Sequence, residues 1–131
     1  MAGYLIDTSV LVDAERGGSA LALVPDDDDH ALSVITVSEL LHGVHRAVDG
    51  ARRTRRQAFV EHVIAGLEIL PVTTEVARAH AHIWAQLDAS GEPVGAHDLW
   101  LAATALANGM RVATSNAREF QRVPGLSVLA L

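Results

Sequence analysis

The chain has 131 residues, of which 50% are hydrophobic, and a formal net charge of −6. This length predicts a single domain over residues 1–131, with one core that needs no disulfide to fold. There is no cysteine, which excludes disulfides, thiolate metal sites and cysteine nucleophiles, and which fits a reducing cytoplasm as the expected location.

All ten basic residues are arginine, so a lysine Schiff base and a P-loop lysine are also excluded. No apolar run approaches the ~20 residues of a membrane span, and the N-terminus lacks a signal-peptide pattern. We therefore expect no membrane association. The negative net charge has the wrong sign for a nucleic-acid binder. It suits a protein that gathers carboxylates around a cation or that has a basic partner.

The first element predicted is a strand at residues 4–6, a continuous apolar run typical of a parallel sheet buried on both faces. Asp7 follows at the carboxyl end of this strand, the edge at which ligands bind in open α/β sheets. Thr8 or Ser9 is predicted to cap the next helix. The competing interpretation of Asp7 is a capping residue at the strand–helix turn.

A short helix is predicted at residues 19–24, and the acidic run at 26–29 is interpreted as a solvated loop. A second strand is expected at 30–34, and Thr36 or Ser38 is expected to begin the following helix. Thr36 and Glu39 have the spacing of a capping box, which places Glu39 in the first turn. An amphipathic stripe runs along this helix through Val37, Leu40, Leu41, Val44 and Val48.

Predicted helices and strands also alternate along the rest of the chain. Helices are predicted at 51–67, 74–89, 97–108 and 117–121, and strands at 69–72, 111–114 and 126–129. The helix at 97–108 is apolar nearly all round, and Asp98 is its one carboxylate. Alternating strands and helices predict an α/β fold with a mainly parallel sheet.

Three carboxylates stand where strands are followed by helices: Asp7, Glu39 and Asp98. If the strands are parallel, these side chains converge, and their mutual repulsion requires a cation. Mg²⁺, with Mn²⁺ as the alternative ion, prefers oxygen ligands and keeps waters that serve displacement at phosphorus. The structural alternatives are a capping-box role for Glu39 and a favourable helix N-terminal charge for Asp98.

A fourth position and a basic cluster stay open at this point. Asn116 follows the strand at 111–114, and Glu119 lies one helical turn further on. Four arginines cluster in the helix at 51–67: Arg52, Arg53, Arg55 and Arg56. They form either a solvated helix face or a basic patch that holds an RNA backbone.

The sequence resembles the PIN-domain ribonucleases, and specifically the VapC-type toxins of toxin–antitoxin pairs. The resemblance rests on LIDTSVL at 5–11, SELLHGV at 38–44, GAHDLWLAA at 95–103, VATSNAREF at 112–120 and VPGL at 123–126. These segments occur in order with similar separations and span nearly the whole chain. The resemblance implies a PIN domain, a three-layer α/β/α fold with a short parallel sheet.

It also implies Mg²⁺-dependent endonucleolytic cleavage of RNA, homodimerisation, and neutralisation by a cognate VapB-type antitoxin. Asp7, Glu39 and Asp98 match the family's acidic residues, with Asp7 and Asp98 as metal ligands. The fourth acid of the family corresponds here to Asn116 or Glu119. On this hypothesis Thr8 and Thr114 orient carboxylates.

Two other hypotheses remain at this stage. One is a PIN-like module with a degenerate site that binds RNA or protein without cleaving it, since the fourth aspartate is missing. The other is a phosphatase or receiver domain on a flavodoxin-like sheet. A receiver's acidic pair normally comes with a lysine, which this chain lacks.

Overall fold

A computed structural model of the protein describes residues 3–26 and 28–131. Its centre is a five-stranded sheet in the order β3-β2-β1-β4-β5, in which every pair of neighbouring strands is parallel. The strands are β1 (Tyr4–Ile6), β2 (His30–Ser33), β3 (Glu68–Leu70), β4 (Arg111–Thr114) and β5 (Val128–Ala130). The prediction of a parallel α/β sheet is confirmed.

Helices cover both faces of this sheet. They are α1 (Thr8–Glu15), α2 (Val34–Arg46), α3 (Gly50–Gly66), α4 (Thr74–Ser90), α5 (Ala96–Ala107) and α6 (Ala117–Phe120), with a 3₁₀ helix at Ala20–Leu23. Along β1, Tyr4 and Ile6 pack into a core with α1, α2 and α3, whereas Leu5 packs into a second core with α4, α5 and α6. Because successive strand residues face opposite sides, these two cores make the three-layer α/β/α fold.

The start of α1 differs from the expectation. Asp7 occupies the N-cap position without a side-chain capping bond, and Thr8 and Ser9 already lie inside the helix. The predicted capping by Thr8 or Ser9 is wrong, because β1 passes into α1 with no intervening linker. Both hydroxyls are instead available to carboxylates nearby.

The start of α2 is also earlier than predicted. Ser33, the last residue of β2, is the N-cap, and its Oγ accepts a hydrogen bond from the Ile35 N–H at 3.0 Å. The capping box of Thr36 and Glu39 is therefore wrong, and Glu39 lies in the second turn. The helix ends at Arg46, so Val48 is not part of its apolar stripe and its side chain is 99% exposed.

Other boundaries shift by one to a few residues. The third strand is Glu68–Leu70 because Pro71, which follows it, has no N–H for a sheet ladder. The final strand is Val128–Ala130, paired with β4 so that Val112 lies opposite Val128. The predicted helix at 19–24 is a 3₁₀ turn at Ala20–Leu23.

The acidic run is not simply solvated. Within it, Asp28 forms an ion pair with Arg111 at 2.7 Å, and the Asp29 carbonyl accepts from the Tyr4 N–H. Asp27 lies outside the described residues. No helix among the residues described is long and apolar enough to cross a bilayer.

The topology decides where a ligand site forms. β1 is central, and the chain adds β2 and β3 on one side before it returns to place β4 on the other. In open α/β sheets the crevice outside the carboxyl ends at such a reversal is the usual binding position. Here that crevice lies between the ends of β1 and β4, next to Asp7 and Thr114.

Candidate functional site

Asp7 is a buried carboxylate at the carboxyl end of β1, with only 5% of its surface exposed. Its Oδ2 accepts hydrogen bonds from the Ser9 hydroxyl at 2.6 Å and from the Thr114 hydroxyl at 2.8 Å. Within residues 3–26 and 28–131, its Oδ1 accepts no hydrogen bond. One oxygen of Asp7 is thus oriented by two hydroxyls, and the other is left for a ligand.

The end of β4 is tied to the start of α1 by the same hydroxyls. Thr114 is fully buried, and its Oγ1 also accepts from the Asn116 N–H at 2.9 Å. The Ser115 N–H donates to the Ser9 Oγ at 3.2 Å. This network fixes the Asp7 carboxylate relative to both strands, as the supporting hydrogen bonds of metal-binding carboxylates do.

Glu39 approaches from α2, and both of its carboxylate oxygens have partners. Oε1 accepts from the Thr8 hydroxyl at 2.8 Å, and Oε2 lies 3.2 Å from Nδ1 of His97. The Thr8 hydroxyl also lies 3.1 Å from that of Thr36, which is fully buried. Thr8 and His97 therefore hold Glu39 between α1 and α5.

Asp98 lies in the first turn of α5, and its carboxyl group has a raised pKa. Burial of its carboxyl raises its pKa from 3.8 to about 6, and three neighbouring carboxylates add to the rise: those of Asp7, Glu119 and Glu39. The charge of His97 acts in the opposite direction. The repulsion between these carboxylates is offset when a cation binds among them.

Glu119 reaches this cluster from α6. Its Oε1 accepts from the Gly95 N–H at 2.8 Å, and a Cβ placed on Gly95 would contact both Glu119 Oε1 and Asp98 Oδ2. The two carboxylates therefore flank the N-terminus of α5. Asn116 sits at the start of α6 with an exposed side chain that makes no capping hydrogen bond.

The structure thus brings together the three acids selected from the sequence, Asp7, Glu39 and Asp98, and Glu119, one of the two candidates for the fourth position, lies close enough to act on Asp98 by its charge. Asn116 lies at the same sheet edge through its backbone contact with Thr114. Thr8 and Thr114 both contact carboxylates, as the sequence-based hypothesis states for them.

The donor set fits a hard divalent cation that is held by few protein ligands. Across the described part of the chain, no group of three or more His, Cys, Asp or Glu side chains is arranged to hold a metal ion directly. Mg²⁺ ordinarily binds through one or two carboxylates and fills the remaining positions with water. Asp7, through its free Oδ1, and Asp98 are the residues that would hold it.

The arginine cluster divides into two pairs. Arg53 donates to the Val44 and His45 carbonyls at 3.2 and 2.8 Å, so it caps the C-terminal turn of α2. Arg56 donates to the Gly43 carbonyl at 3.0 Å and pairs with Glu15 at 3.2 Å. Arg52 and Arg55 are exposed, and neither forms an ion pair with the residues that the structure describes.

Two side-chain contacts of the site do not follow from the sequence reasoning. Ser9 is expected there as a cap, yet it donates to Asp7, and its position two residues after a strand-terminal aspartate is the available signal. His97 adjoins Asp98 in the sequence, but nothing there indicates its contact with Glu39. That residue lies 58 positions earlier and meets His97 only through the packing of α2 near α5.

The chain is similar to known proteins over most of its length. A family model described as the PIN domain matches residues 4–126. Ribonuclease VapC of Rickettsia bellii is 33% identical over 129 residues, which cover 98% of this chain and 96% of the relative. The tRNA(fMet)-specific endonuclease VapC of Salmonella typhimurium is 37% identical over 97 residues, which cover 74% of this chain and 71% of the relative.

A solved structure shares the whole architecture. It is a member of the VapBC family of toxin–antitoxin systems, VapBC-5 from Mycobacterium tuberculosis. The two chains align with a TM-score of 0.84 and 32% identity, over 100% of this chain and 100% of the chain in that structure. The family model and relatives above 30% identity together span nearly all of the sequence. This chain therefore belongs to the PIN-domain family, among the VapC ribonucleases.

Proposed function

We propose that this protein is an endoribonuclease, the toxin of a toxin–antitoxin pair, which hydrolyses RNA phosphodiester bonds at a Mg²⁺ site formed by its acidic cluster. The observation that carries the proposal is the convergence of four carboxylates from separate elements, of which Asp98 has its pKa raised to about 6 by burial first and by the other three carboxylates second. The relatives named as ribonucleases and endonucleases support the reaction class.

In this proposal, different residues of the site bind the cation and position the water. Asp7 and Asp98 hold the cation, and the hydroxyls of Ser9 and Thr114 fix the orientation of Asp7. Mg²⁺ held by these carboxylates would supply positive charge for the phosphate oxygens of the substrate. Glu39, which Thr8 and His97 orient, would either position the attacking water or bind a second ion.

The fourth acidic role falls to Glu119 in this proposal. Its charge contributes to the raised pKa of Asp98, whereas the side chain of Asn116 is exposed and neutral. Asn116 is left to hydrogen-bond water at the edge of the site. The presence of Glu119 argues against a site that has lost its fourth acid and only binds RNA.

The partner proposed is a VapB-type antitoxin. Support comes from a solved relative that is a member of the VapBC toxin–antitoxin family. Co-expression with the cognate antitoxin is expected to suppress RNA cleavage by this chain. If purified complex and free chain cleave at the same rate, neutralisation by such a partner is contradicted.

Metal dependence is tested by incubating purified protein, free of antitoxin, with a mixed RNA pool that includes structured RNAs such as tRNA. We expect discrete fragments with Mg²⁺, none with EDTA, and recovery of the fragments when excess Mg²⁺ is added back. Mn²⁺ in place of Mg²⁺ establishes whether it serves as the alternative ion.

Two results would contradict the proposal. Fragments that persist in EDTA would show that cleavage needs no divalent cation. RNA binding by folded protein without any cleavage in Mg²⁺ would instead favour a binding module with an inactive site.

A further inference from the structure

The loop at residues 91–95 determines where α5 begins, and α5 carries Asp98 in its first turn. At the start of the loop, the N–H groups of Gly91 and Glu92 donate to carbonyls in the last turn of α4, at 3.3 and 3.1 Å. At its end stands Gly95, the N-cap residue of α5, which has no side chain with which to cap the helix. The end of the loop next to Asp98 therefore depends on another element to hold it.

Two charged side chains from α6 and the turn after it hold this end of the loop. Oε1 of Glu119 accepts from the Gly95 N–H at 2.8 Å, and Nη1 of Arg122 donates to the Pro93 carbonyl at 2.6 Å. Hydrogen bonds to a charged group are stronger than those between neutral groups. Because the two bonds attach different points of the loop, they fix its orientation against α6 as well as its distance from it.

The segment that carries these side chains is itself fixed. Phe120 and Val123 are buried in the core shared with α4 and α5. The Arg122 N–H donates to the Glu119 carbonyl at 3.0 Å, and the Val123 N–H donates to the Phe120 carbonyl at 3.1 Å. Residues 119–123 thus form a compact turn anchored in the core, and Glu119 and Arg122 reach from it to the loop.

The contact between Glu119 and Gly95 decides what the Asp98 carboxyl can do. Asp98 is the third residue of α5, a position from which an acidic side chain can bond back to the N–H of the N-cap residue. A Cβ on Gly95 would lie 4.0 Å from Asp98 Oδ2, so the carboxyl is near enough to compete for that N–H. Glu119 occupies the N–H instead, and within residues 3–26 and 28–131 the Asp98 carboxyl accepts no hydrogen bond. This carboxyl is left free for a cation.

We propose that Arg122 is a positioning residue of the acidic cluster, which acts by holding the Pro93 carbonyl and with it the loop at residues 91–95. While the loop is held, Glu119 keeps the N-cap N–H of α5, and Asp98 is free to bind the cation. Without Arg122 the loop moves away from Glu119, and Asp98 turns back to the N–H of its own helix. This inference rests on the proposed function, because it takes the acidic cluster to be a Mg²⁺ site.

Arg122→Ala tests this role by its effect on the affinity of the full chain for Mg²⁺, measured by titration calorimetry without RNA. We expect the Kd to rise about fivefold, less than the roughly ten- to hundredfold loss typical when a direct partner of a metal ligand is removed. The direction of the change is informative, because removal of a positive charge by itself strengthens the binding of a cation.

Arg118→Ala is the matched control for the loss of charge. The Arg118 side chain is exposed on α6 and forms no hydrogen bond or ion pair with the residues that the structure describes. Mg²⁺ affinity is therefore expected to stay the same in this variant or to rise slightly.

A second background separates positioning from a general loss of stability. Glu119→Ala removes the side chain through which Arg122 acts, so Arg122→Ala is expected to change the Kd for Mg²⁺ by less than about twofold when it is added to Glu119→Ala. A destabilised fold would instead weaken binding by the same factor in both backgrounds. Thermal unfolding in EDTA verifies that each variant is folded at the temperature of the titration.

The proposal is overturned if Arg122→Ala binds Mg²⁺ as tightly as the wild type, if Arg118→Ala weakens binding equally, or if the effects of Arg122→Ala and Glu119→Ala simply multiply. When the wild type binds Mg²⁺ and cleaves RNA, those results leave the proposed function intact. If the wild type itself binds no Mg²⁺, the proposed function fails, and the role of Arg122 fails with it.

Discussion

Asp98 shows how one residue links the stability of the protein to its function. Burial and its acidic neighbours raise the pKa of this carboxyl group from 3.8 to about 6 in the folded chain, so it binds its proton more tightly than in the unfolded chain. The sequence indicates Asp98 from its position in an apolar helix, but not the neighbours that shift its pKa. Those come from β1, α2 and α6, which only the folded chain brings together.

The raised pKa predicts a pH-dependent cost in the metal-free protein. Between pH 3.8 and about 6 the folded state binds this proton more tightly than the unfolded state does, so the free energy of unfolding falls as pH rises through that interval. Asp98→Asn is expected to remove this dependence and, at pH 7, to be as stable as the wild type or more stable by about 1 kcal/mol after discounting for solvent screening.

Urea unfolding in EDTA at several pH values, wild type against Asp98→Asn, measures this difference. Added Mg²⁺ is expected to stabilise the wild type more than the variant. A clear loss of metal-free stability in Asp98→Asn at pH 7 would contradict the account and would support a favourable charge at the N-terminus of α5 instead.

Thr114 provides a second test at the scale of one residue. Thr114→Val removes the hydroxyl that donates to Asp7 Oδ2 while keeping the buried shape. We expect RNA cleavage to fall about tenfold with a higher Mg²⁺ requirement, and stability to fall by about 1 kcal/mol. Thr114→Ser is the control, because it keeps the hydroxyl; cleavage as poor as in Thr114→Val would show that packing, not the hydrogen bond, is what matters.

At the scale of elements, the sequence predicts kind and order better than boundaries. The helix Thr74–Ser90 and the strand Arg111–Thr114 lie within one residue of their predicted ends. The start of α2 is harder to predict because Ser33, Thr36 and Ser38 all carry hydroxyls suited to capping. Which of them caps depends on where β2 leaves the sheet, and this is set by its pairing with β1 and β3.

The N-cap of α2 is open to a direct test. Ser33→Ala is expected to cost about 1 kcal/mol, since Ser33 is buried and its Oγ satisfies the Ile35 N–H. Ser38→Ala, at an exposed position inside the same helix, is expected to change stability by less than about 0.5 kcal/mol. Chemical denaturation of both variants measures the contrast, and equal costs would contradict the assignment of Ser33 as the cap.

For the whole molecule, the alternation of strands and helices predicts a parallel sheet, and the parallel sheet explains why acids far apart in sequence meet at one edge. The alternation does not predict whether Asn116 or Glu119 occupies the fourth position of the site. Both follow β4, and the path of α6 decides that Glu119 turns towards Asp98. The homodimer implied by the family resemblance also stays a prediction.

An exposed aromatic surface on α4 is where we expect the dimer to form. Trp84 is 56% exposed, and His80 packs between its ring edge and Trp100, with ring centroids 5.7 and 3.6 Å away. Large exposed aromatic groups of this kind favour protein contacts. Trp84→Ala is expected to shift sedimentation towards monomer, whereas Leu23→Ala, at another exposed apolar residue, is not; a wild-type chain that sediments as a monomer would contradict the prediction.

RNA cleavage in Mg²⁺ by three proteins tests whether the acidic cluster is the catalytic centre: the wild type, Asp7→Asn, and Asp88→Asn as a control that removes an exposed carboxylate from α4. Because Asp7 lies at the centre of the site with one oxygen free for the cation, its loss is expected to reduce cleavage at least about a hundredfold, while Asp88→Asn cleaves like the wild type. Cleavage by folded Asp7→Asn at the wild-type rate would contradict the claim that the acidic cluster is the catalytic centre.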